Sequence, residues 1–361
     1  MTETATYPEV PHHPPPPPTT EDLDWADLPI IDISKANTAG GRAELANEVR
    51  DAMRTFGFMY VVNHGWTQAQ NARIFDIADV PFSQVSEEEK RQFSNEIKNT
   101  GSWRGYKPRQ FWTVDNGVPD QIEQYQFFEQ KHHPQALQPF LPEIYAFAQH
   151  NHFKVLHPIL RLLALGMELP EDTFVEIHDG DATGPSFVRF IKYYPRSEED
   201  EAKTKNVWLK GHTDFGTITI LWSQPISALQ IMTPDGQWRW VRHIDNALVI
   251  NIGDAMEMLS GGFYKATIHR VVQPPPDQRA HARRGAFYFA SANDDVRLVP
   301  FLDSPVLQRE GVRRRIEDGD APTMAEWRAA LVRTYGVAEL RRRDDVVEEQ
   351  VVGGIVVRHY N

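Results

Sequence analysis

Lys210-Gly211-His212-Thr213-Asp214-Phe215-Gly216-Thr217-Ile218-Thr219 and, further on, Thr267-Ile268-His269-Arg270-Val271 decide how this chain is read. Along an extended strand, side chains two positions apart share a face. His212 and Asp214 then point the same way. His269 comes 55 residues after Asp214, in a second run of strand character. Two imidazoles and one carboxylate on one side of a cation leave its other side open. That donor set suits Fe(II) oxygen chemistry, and zinc accepts the same residue types. A His-x-Asp tripeptide decides little by itself in a chain with 14 histidines, so the surroundings carry the argument.

Around these two stretches, short runs of β-branched and aromatic residues recur at regular spacing. They cover residues 187–194, 217–222, 229–232, 238–241, 247–252, 267–272 and 285–290. Asp235-Gly236 between two of them is a hairpin signal. Many short strands separated by turns predict a sandwich or barrel, and a double-sheet jelly roll satisfies the pattern. Upstream the texture differs. A short strand is expected at 28–33 and another at 58–62, with a helix between them on Leu45, Val49, Ala52, Met53 and Phe56, stopped by Gly57. Further helices are expected over 68–79, from Ser86 through the acidic Glu87-Glu88-Glu89, and over 141–165. The charged stretch 197–206 reads as a solvated loop.

The fold class expected is therefore mainly β with flanking helices, a jelly-roll core preceded by an N-terminal α/β region. Residues 1–27 read as a disordered leader, because the five prolines 14–18 favour an extended chain that joins neither helix nor sheet interior. Residues 28–180 form the N-terminal helical region, 181–300 the jelly roll, and 301–361 a helical lid or tail around 324–335.

Composition narrows the function. The 361 residues carry 38 Lys plus Arg against 50 Asp plus Glu, a formal charge of −12. Nucleic acid and anionic membranes reward clustered cations, so neither is expected as a partner. With no cysteine, disulfides, iron–sulfur clusters, thiolate zinc sites and Cys nucleophiles are all excluded. No run of about 18 uncharged apolar residues marks a membrane span, and no signal-peptide pattern opens the chain. No P-loop, G-x-G-x-x-G, H-E-x-x-H or G-x-S-x-G occurs. The expectation is a cytoplasmic protein that handles a small molecule and needs no obligate protein partner.

Lys210 to Thr219 resembles the metal-binding strand of the isopenicillin N synthase-like group of 2-oxoglutarate and Fe(II)-dependent dioxygenases. Ile250-Asn251-Ile252-Gly253-Asp254-Ala255-Met256-Glu257-Met258-Leu259-Ser260, running on to His269-Arg270-Val271-Val272, is similar to the same group. So are residues 28–33 and 56–65, and the likeness spans roughly residues 28 to 295. The resemblance implies a distorted double-stranded β-helix with His212, Asp214 and His269 as iron ligands. It implies 2-oxoglutarate and O2 as co-substrates, and oxidation of an unactivated C–H bond in a small molecule, with a tailoring role in specialised metabolism as the expected setting. Isopenicillin N synthase-like oxidases that consume no 2-oxoglutarate share the fold, and a catalytically silent jelly-roll binding protein is a third reading.

The family grips the far carboxylate of its co-substrate with an arginine in an Arg-x-Ser motif. Here that segment reads Arg283-Arg284-Gly285-Ala286-Phe287-Tyr288-Phe289. The aromatic pair Tyr288 and Phe289 matches if Arg283 is the arginine; Arg284 is the alternative, since strand neighbours face opposite sides. Two departures stand out. Gly285 replaces the serine, which removes a hydroxyl donor, and Lys192 replaces the asparagine of an Asn-Tyr-Tyr-Pro strand whose second tyrosine, here Tyr194, is expected to bond the co-substrate. Lys192 either adds charge at the near carboxylate or faces solvent. Gly105-Tyr106-Lys107-Pro108-Arg109, with Trp103, Phe111 and Trp112, resembles the family's variable substrate-facing region, or packs as core or lid. Trp222 either lines the pocket or fills the core. Asp254 is expected to shape a turn, His64 to be structural, and His243, His281 and the His12-His13 pair to have no ligand context.

Overall fold

The alternating apolar residues beyond position 185 build eight strands: β1 (Phe187–Tyr193), β2 (Val207–His212), β3 (Ile218–Trp222), β4 (Leu229–Met232), β5 (Trp238–Trp240), β6 (Leu248–Ile252), β7 (His269–Val272) and β8 (Arg283–Ala290). A computed structural model describes residues 7–100, 105–127, 132–178, 185–313, 320–334, 341–342, 347–352 and 355–360 of the chain. The strands divide into two sheets, one containing β6-β3-β8-β1 and the other β5-β4-β7-β2 in those orders. Each pair within these two quartets is antiparallel. Ile191, Tyr193, Trp208, Leu221, Leu229, Ile231, Val271 and Phe287 pack together between the sheets. This is the expected jelly roll, two sheets closed over their inward-facing side chains.

The N-terminal region widens the larger sheet. Phe58–Val62 pairs antiparallel with β6, and Ile30–Asp32 pairs with it in parallel. On the other edge lie Ile122–Phe127 against β1, and then Gly105–Lys107. Between the first two strands runs the helix Ala39–Thr55, whose buried stripe is Leu45, Ala46, Val49, Ala52 and Met53. It ends where Gly57 takes φ +65°, and a Cβ there would lie 2.2 Å from the Lys265 carbonyl oxygen. Only glycine fits that stop.

Several expectations change. Residues 7–27 are not a loose leader; they lie extended along the body. His12 Nδ1 and the His13 backbone N–H reach the two carboxylate oxygens of Asp76 at 2.9 and 2.8 Å, Gln278 Nε2 donates to the Pro17 carbonyl at 2.9 Å, and Ala26 N–H bonds Trp240 O at 2.8 Å. A polyproline strand keeps its carbonyls free as acceptors, so it can dock without joining a sheet. The stretch 197–206 is not a solvated loop but holds the helix Glu198–Lys203, capped by Ser197 with four acids in its first turn. Its Glu201 is buried against Arg196 and the Trp208 indole N–H. Asp254 opens the helix Asp254–Leu259 rather than a turn. The single helix expected over 141–165 is three segments, α over Leu141–Gln149, π over His150–Leu156, and α over His157–Gly166. The C-terminal tail is not purely helical. After Pro305–Arg309 and Met324–Thr334 it forms strands, and Ile355–Tyr360 joins the smaller sheet beside β2, Tyr360 opposite Gly211. Trp103 lies outside the described residues.

Candidate metal centre and its cavity

His212 closes β2 and His269 opens β7, and the two are direct cross-strand partners. Asp214 lies two residues beyond the end of β2 rather than on it, held by its carbonyl's bond from Asp254 N–H at 2.7 Å. The turn still brings it beside the histidines. Asp214 Oδ1 is 3.9 Å from His212 Nε2 and 3.8 Å from His269 Nε2, and one donor atom from each of the three lies within 4.8 Å of the others.

The remaining atoms of the three side chains are already committed. His212 Nδ1 donates to the Lys210 carbonyl at 2.8 Å and His269 Nδ1 to the Thr267 carbonyl at 3.1 Å. Those bonds fix the tautomer and leave each Nε2 lone pair facing inward. Asp214 Oδ2 accepts from Thr219 Oγ1 at 2.6 Å and Asn251 Nδ2 at 2.9 Å, which leaves Oδ1 to face the histidines. Burial alone would raise the Asp214 carboxyl; the charge that His269 and His212 carry when protonated, together with these hydrogen bonds, outweighs it and holds the group below the ordinary carboxylate value. Two neutral nitrogens and one carboxylate oxygen, gathered on one side of a cavity, fit Fe(II) with open positions for other ligands.

The same cavity contains Arg283. It is 3% exposed, and its Nε and Nη1 have no hydrogen-bond partner among the described residues. Burial pushes its pKa down, opposed by the Tyr193 phenol, whose ring lies 5.4 Å from the guanidinium. A buried, unpaired cation is expensive to maintain. A carboxylate ligand would supply its missing acceptors, so the residue fits 2-oxoglutarate as well as the triad fits iron.

The pairing register decides which neighbours share this cavity. Arg283, Gly285 and Phe287 oppose Tyr193, Ile191 and Arg189 on one face, while Arg284 opposes Lys192 on the other. Arg284 and Lys192 both reach Asp79, at 4.0 and 2.7 Å. Lys192 is therefore neither at the near carboxylate nor simply in solvent. Tyr194 is also turned away: its hydroxyl donates to Glu123 Oε2 at 2.9 Å, and the cavity wall holds Tyr193 in its place. At Gly285 a Cβ would come 2.5 Å from Phe287 Cε2, so the phenyl ring occupies the space a serine would need. Trp222 is wholly buried and donates to Asn151 Oδ1 at 2.9 Å, which makes it core. His64 is buried and bonded to Asn246 O, as a structural histidine should be; His243 lies between Ser223 and Asp245.

Sequence reasoning passed over Arg189 and Tyr193. Their spacing of two on either side of Ile191, together with the Arg283 pairing, is the signal that finds them. Arg189 lies 4.4 Å over the Phe289 ring and 5.2 Å over that of Phe187. Much of the rest of the wall is apolar, with Phe58, Leu209, Leu221, Leu229, Val271 and Trp112 prominent, and Gln124, Thr213, Thr219 and Asn251 add polar groups.

Two family descriptions match the chain. The non-haem dioxygenase in morphine synthesis N-terminal family covers residues 28–144, and the 2OG-Fe(II) oxygenase superfamily covers residues 185–289. The chain belongs to the 2-oxoglutarate and Fe(II)-dependent dioxygenases of the isopenicillin N synthase-like group. Among its relatives, the 2-oxoglutarate-dependent dioxygenase citB of Monascus ruber is 29% identical over 300 residues, 76% of this chain and 87% of that one. A homoarginine-6-hydroxylase of Oryza sativa subsp. japonica is 27% identical over 301 residues, 77% and 89% of the two chains. In fold it is similar to a full-length Neurospora crassa protein crystallised with alpha-KG and thymine, with a TM-score of 0.73 at 22% identity over 85% of this chain and 96% of that one. It is thus an oxidoreductase that uses Fe(II), 2-oxoglutarate and O2 on a small molecule. The oxidase and silent-scaffold alternatives are not favoured. Among the described residues no helix is long and apolar enough to cross a membrane.

Proposed function

We propose that His212, Asp214 and His269 hold the iron, that Arg283 grips the far carboxylate of 2-oxoglutarate, and that the substrate is a small, largely planar molecule bearing an anionic or carbonyl group. The observation that carries this reading is Arg283, a buried guanidinium with two nitrogens, Nε and Nη1, unpartnered among the described residues, in the cavity that also contains the triad. Iron, 2-oxoglutarate and O2 bound together supply an oxidative decarboxylation, to succinate and CO2, that drives oxidation of a C–H bond. The chain's own part is positioning and exclusion of water. Lys210 and Thr267 carbonyls orient the imidazoles; Asn251 and Thr219 orient the carboxylate. Tyr193 lies against the guanidinium from the same face, and is the better candidate than Tyr194 for a bond to the co-substrate.

Substrate chemistry follows from the wall. Phe287 and Phe289 stack 5.6 Å apart at 16°, and Phe187 continues the stack at 5.2 Å. Arg189, over the Phe289 ring of that wall, adds a planar donor, which suits a flat acid or ketone better than a polyol. Relatives named for acting on small metabolites, homoarginine among them, support a role in specialised metabolism. The test is an anaerobic titration of the Fe(II)-loaded protein with 2-oxoglutarate, following the visible charge-transfer band, and then a screen for succinate release. Planar carboxylic acids should stimulate succinate, and Arg189→Met should abolish the preference for acid over neutral ester. No band with bound iron would overturn the co-substrate assignment. Iron retained in both His212→Ala and Asp214→Ala would overturn the ligand set.

A further inference from the structure

Lys107 ends the edge strand Gly105–Lys107, and Asp120 stands two residues before the strand Ile122–Phe127. The chain between them, residues 108–119, folds back on itself as a small hairpin, Thr113–Asp115 against Val118–Pro119, turned by Asn116-Gly117. This loop brings Trp112 into the cavity wall. Both anchors are 1% exposed and ion-paired to each other. Lys107 Nζ also donates to the Ile122 carbonyl at 2.7 Å and lies 4.2 Å from the Trp112 ring centroid. Asp120 ties the loop at several points. Its Oδ2 accepts from Trp112 N–H at 2.7 Å and its Oδ1 from Ile122 N–H at 2.9 Å, while its backbone bonds Trp112 O at 2.8 Å and Gln110 N–H at 3.0 Å. On the outer side, Arg109 donates twice to Gln121 Oε1, at 3.0 and 2.7 Å, and stacks 4.4 Å over Tyr194.

A buried ion pair is a poor source of stability, since apolar residues of similar volume often serve as well or better. What this pair supplies is geometry. One carboxylate fixes the backbone of Trp112 and the start of the following strand, while the ammonium lies against the indole. We infer that the Lys107–Asp120 pair is a positioning device that keeps the loop closed and holds Trp112 in the wall of the substrate cavity. The inference rests on that cavity being the active site.

The test uses the Fe(II)- and 2-oxoglutarate-loaded protein under anaerobic conditions and limited trypsin cleavage after Arg109. A protease must draw an extended segment into its cleft, and the Gln110 N–H of that bond is released from Asp120 only when the loop opens. Asp120→Asn removes the carboxylate charge and leaves Lys107 without its ion-pair partner, and the Lys107→Met/Asp120→Leu pair removes both charges while filling the space, so one of them remains informative if the other folds badly. Expected is a tenfold or greater acceleration of the Arg109 cut in both, with the thermal midpoint of the apolar pair close to wild type and the 2-oxoglutarate titration unchanged. Unchanged cleavage, or faster cleavage at all sites in step with a fallen midpoint, overturns the inference. Loss of the charge-transfer band in the wild-type protein would instead overturn the proposed function and leave the loop result standing.

Discussion

Arg283 and Gly285 show how two residues set the grip on one ligand. Replacing Arg283 by Gln removes the charged donors, each worth about 1.5–3 kcal/mol, so 2-oxoglutarate affinity should fall at least tenfold in the anaerobic titration. Arg284→Ala, on the opposite face beside Asp79, should leave that affinity unchanged. An equal effect of the two would show that the strand faces are misassigned. Restoring the serine is not expected to help by itself. Gly285→Ser drives a Cβ to 2.5 Å from a ring packed on Phe289, an overpacking of about 1–3 kcal/mol. In a Phe287→Leu background, where the ring edge is gone, the same serine should cost little stability and tighten 2-oxoglutarate. A single serine variant that is stable and tight-binding would refute the steric account. That three donors and an arginine would share one cavity was legible, because their spacing is short-range or carried by a motif. Tyr193 was not, because choosing between adjacent tyrosines on a strand is a question of phase, and a shift of one residue reverses the face. Only the pairing of Tyr193 with Arg283 settles it.

At the scale of elements, the jelly-roll strands were readable from alternation and turns, and Leu229–Met232 has the boundaries its sequence predicts. Ile122–Phe127 was missed because Glu123, Gln124 and Gln126 make it look like a surface loop, yet all three are buried. The charge of Glu123 is absorbed by partners distant in sequence, Lys90 and Tyr194, while the Oε1 atoms of Gln124 and Gln126 have no hydrogen-bond partner among the described residues. The π-helical turns were hidden for a related reason. Asn151 is fully buried, donates from Nδ2 to the Phe147 carbonyl at 2.7 Å, and accepts the Trp222 indole N–H. A side chain that bonds the carbonyl four residues back competes with the backbone for it, and the ladder widens there. Asn151→Leu should therefore lower stability by about 1–3 kcal/mol, chiefly by leaving the Trp222 N–H buried without an acceptor. Adding Trp222→Phe should recover part of that loss in urea unfolding. Simple additivity of the two substitutions would mean that the bond contributes nothing.

The whole molecule depends on histidines that it keeps neutral. His178 is enclosed, with Nδ1 donating to the Phe174 carbonyl at 2.7 Å and Nε2 bonded to the Thr217 hydroxyl at 2.7 Å. Burial pushes its pKa down to about 4; His150, less deeply buried, is lowered to about 4 as well, with His64 and Lys154 adding repulsion. In the unfolded chain each would take up a proton near the ordinary value of 6.5. Between those two values the unfolded state binds more protons than the folded one, so stability must fall as pH drops from about 6.5 to 4 and change no further from this source below that. For the enclosed His178 the loss is about 3 kcal/mol, and for His150 it is smaller because water partly screens it. The check is urea unfolding of wild type and His178→Gln, which retains both hydrogen-bonding ends without the titration, at several pH values from 7.5 to 4. The stability advantage of the wild type should shrink as the pH falls through this window and level off at its lower end. Curves that stay parallel would place the acid sensitivity in other groups, with His178 already protonated or already reached by water in the folded protein.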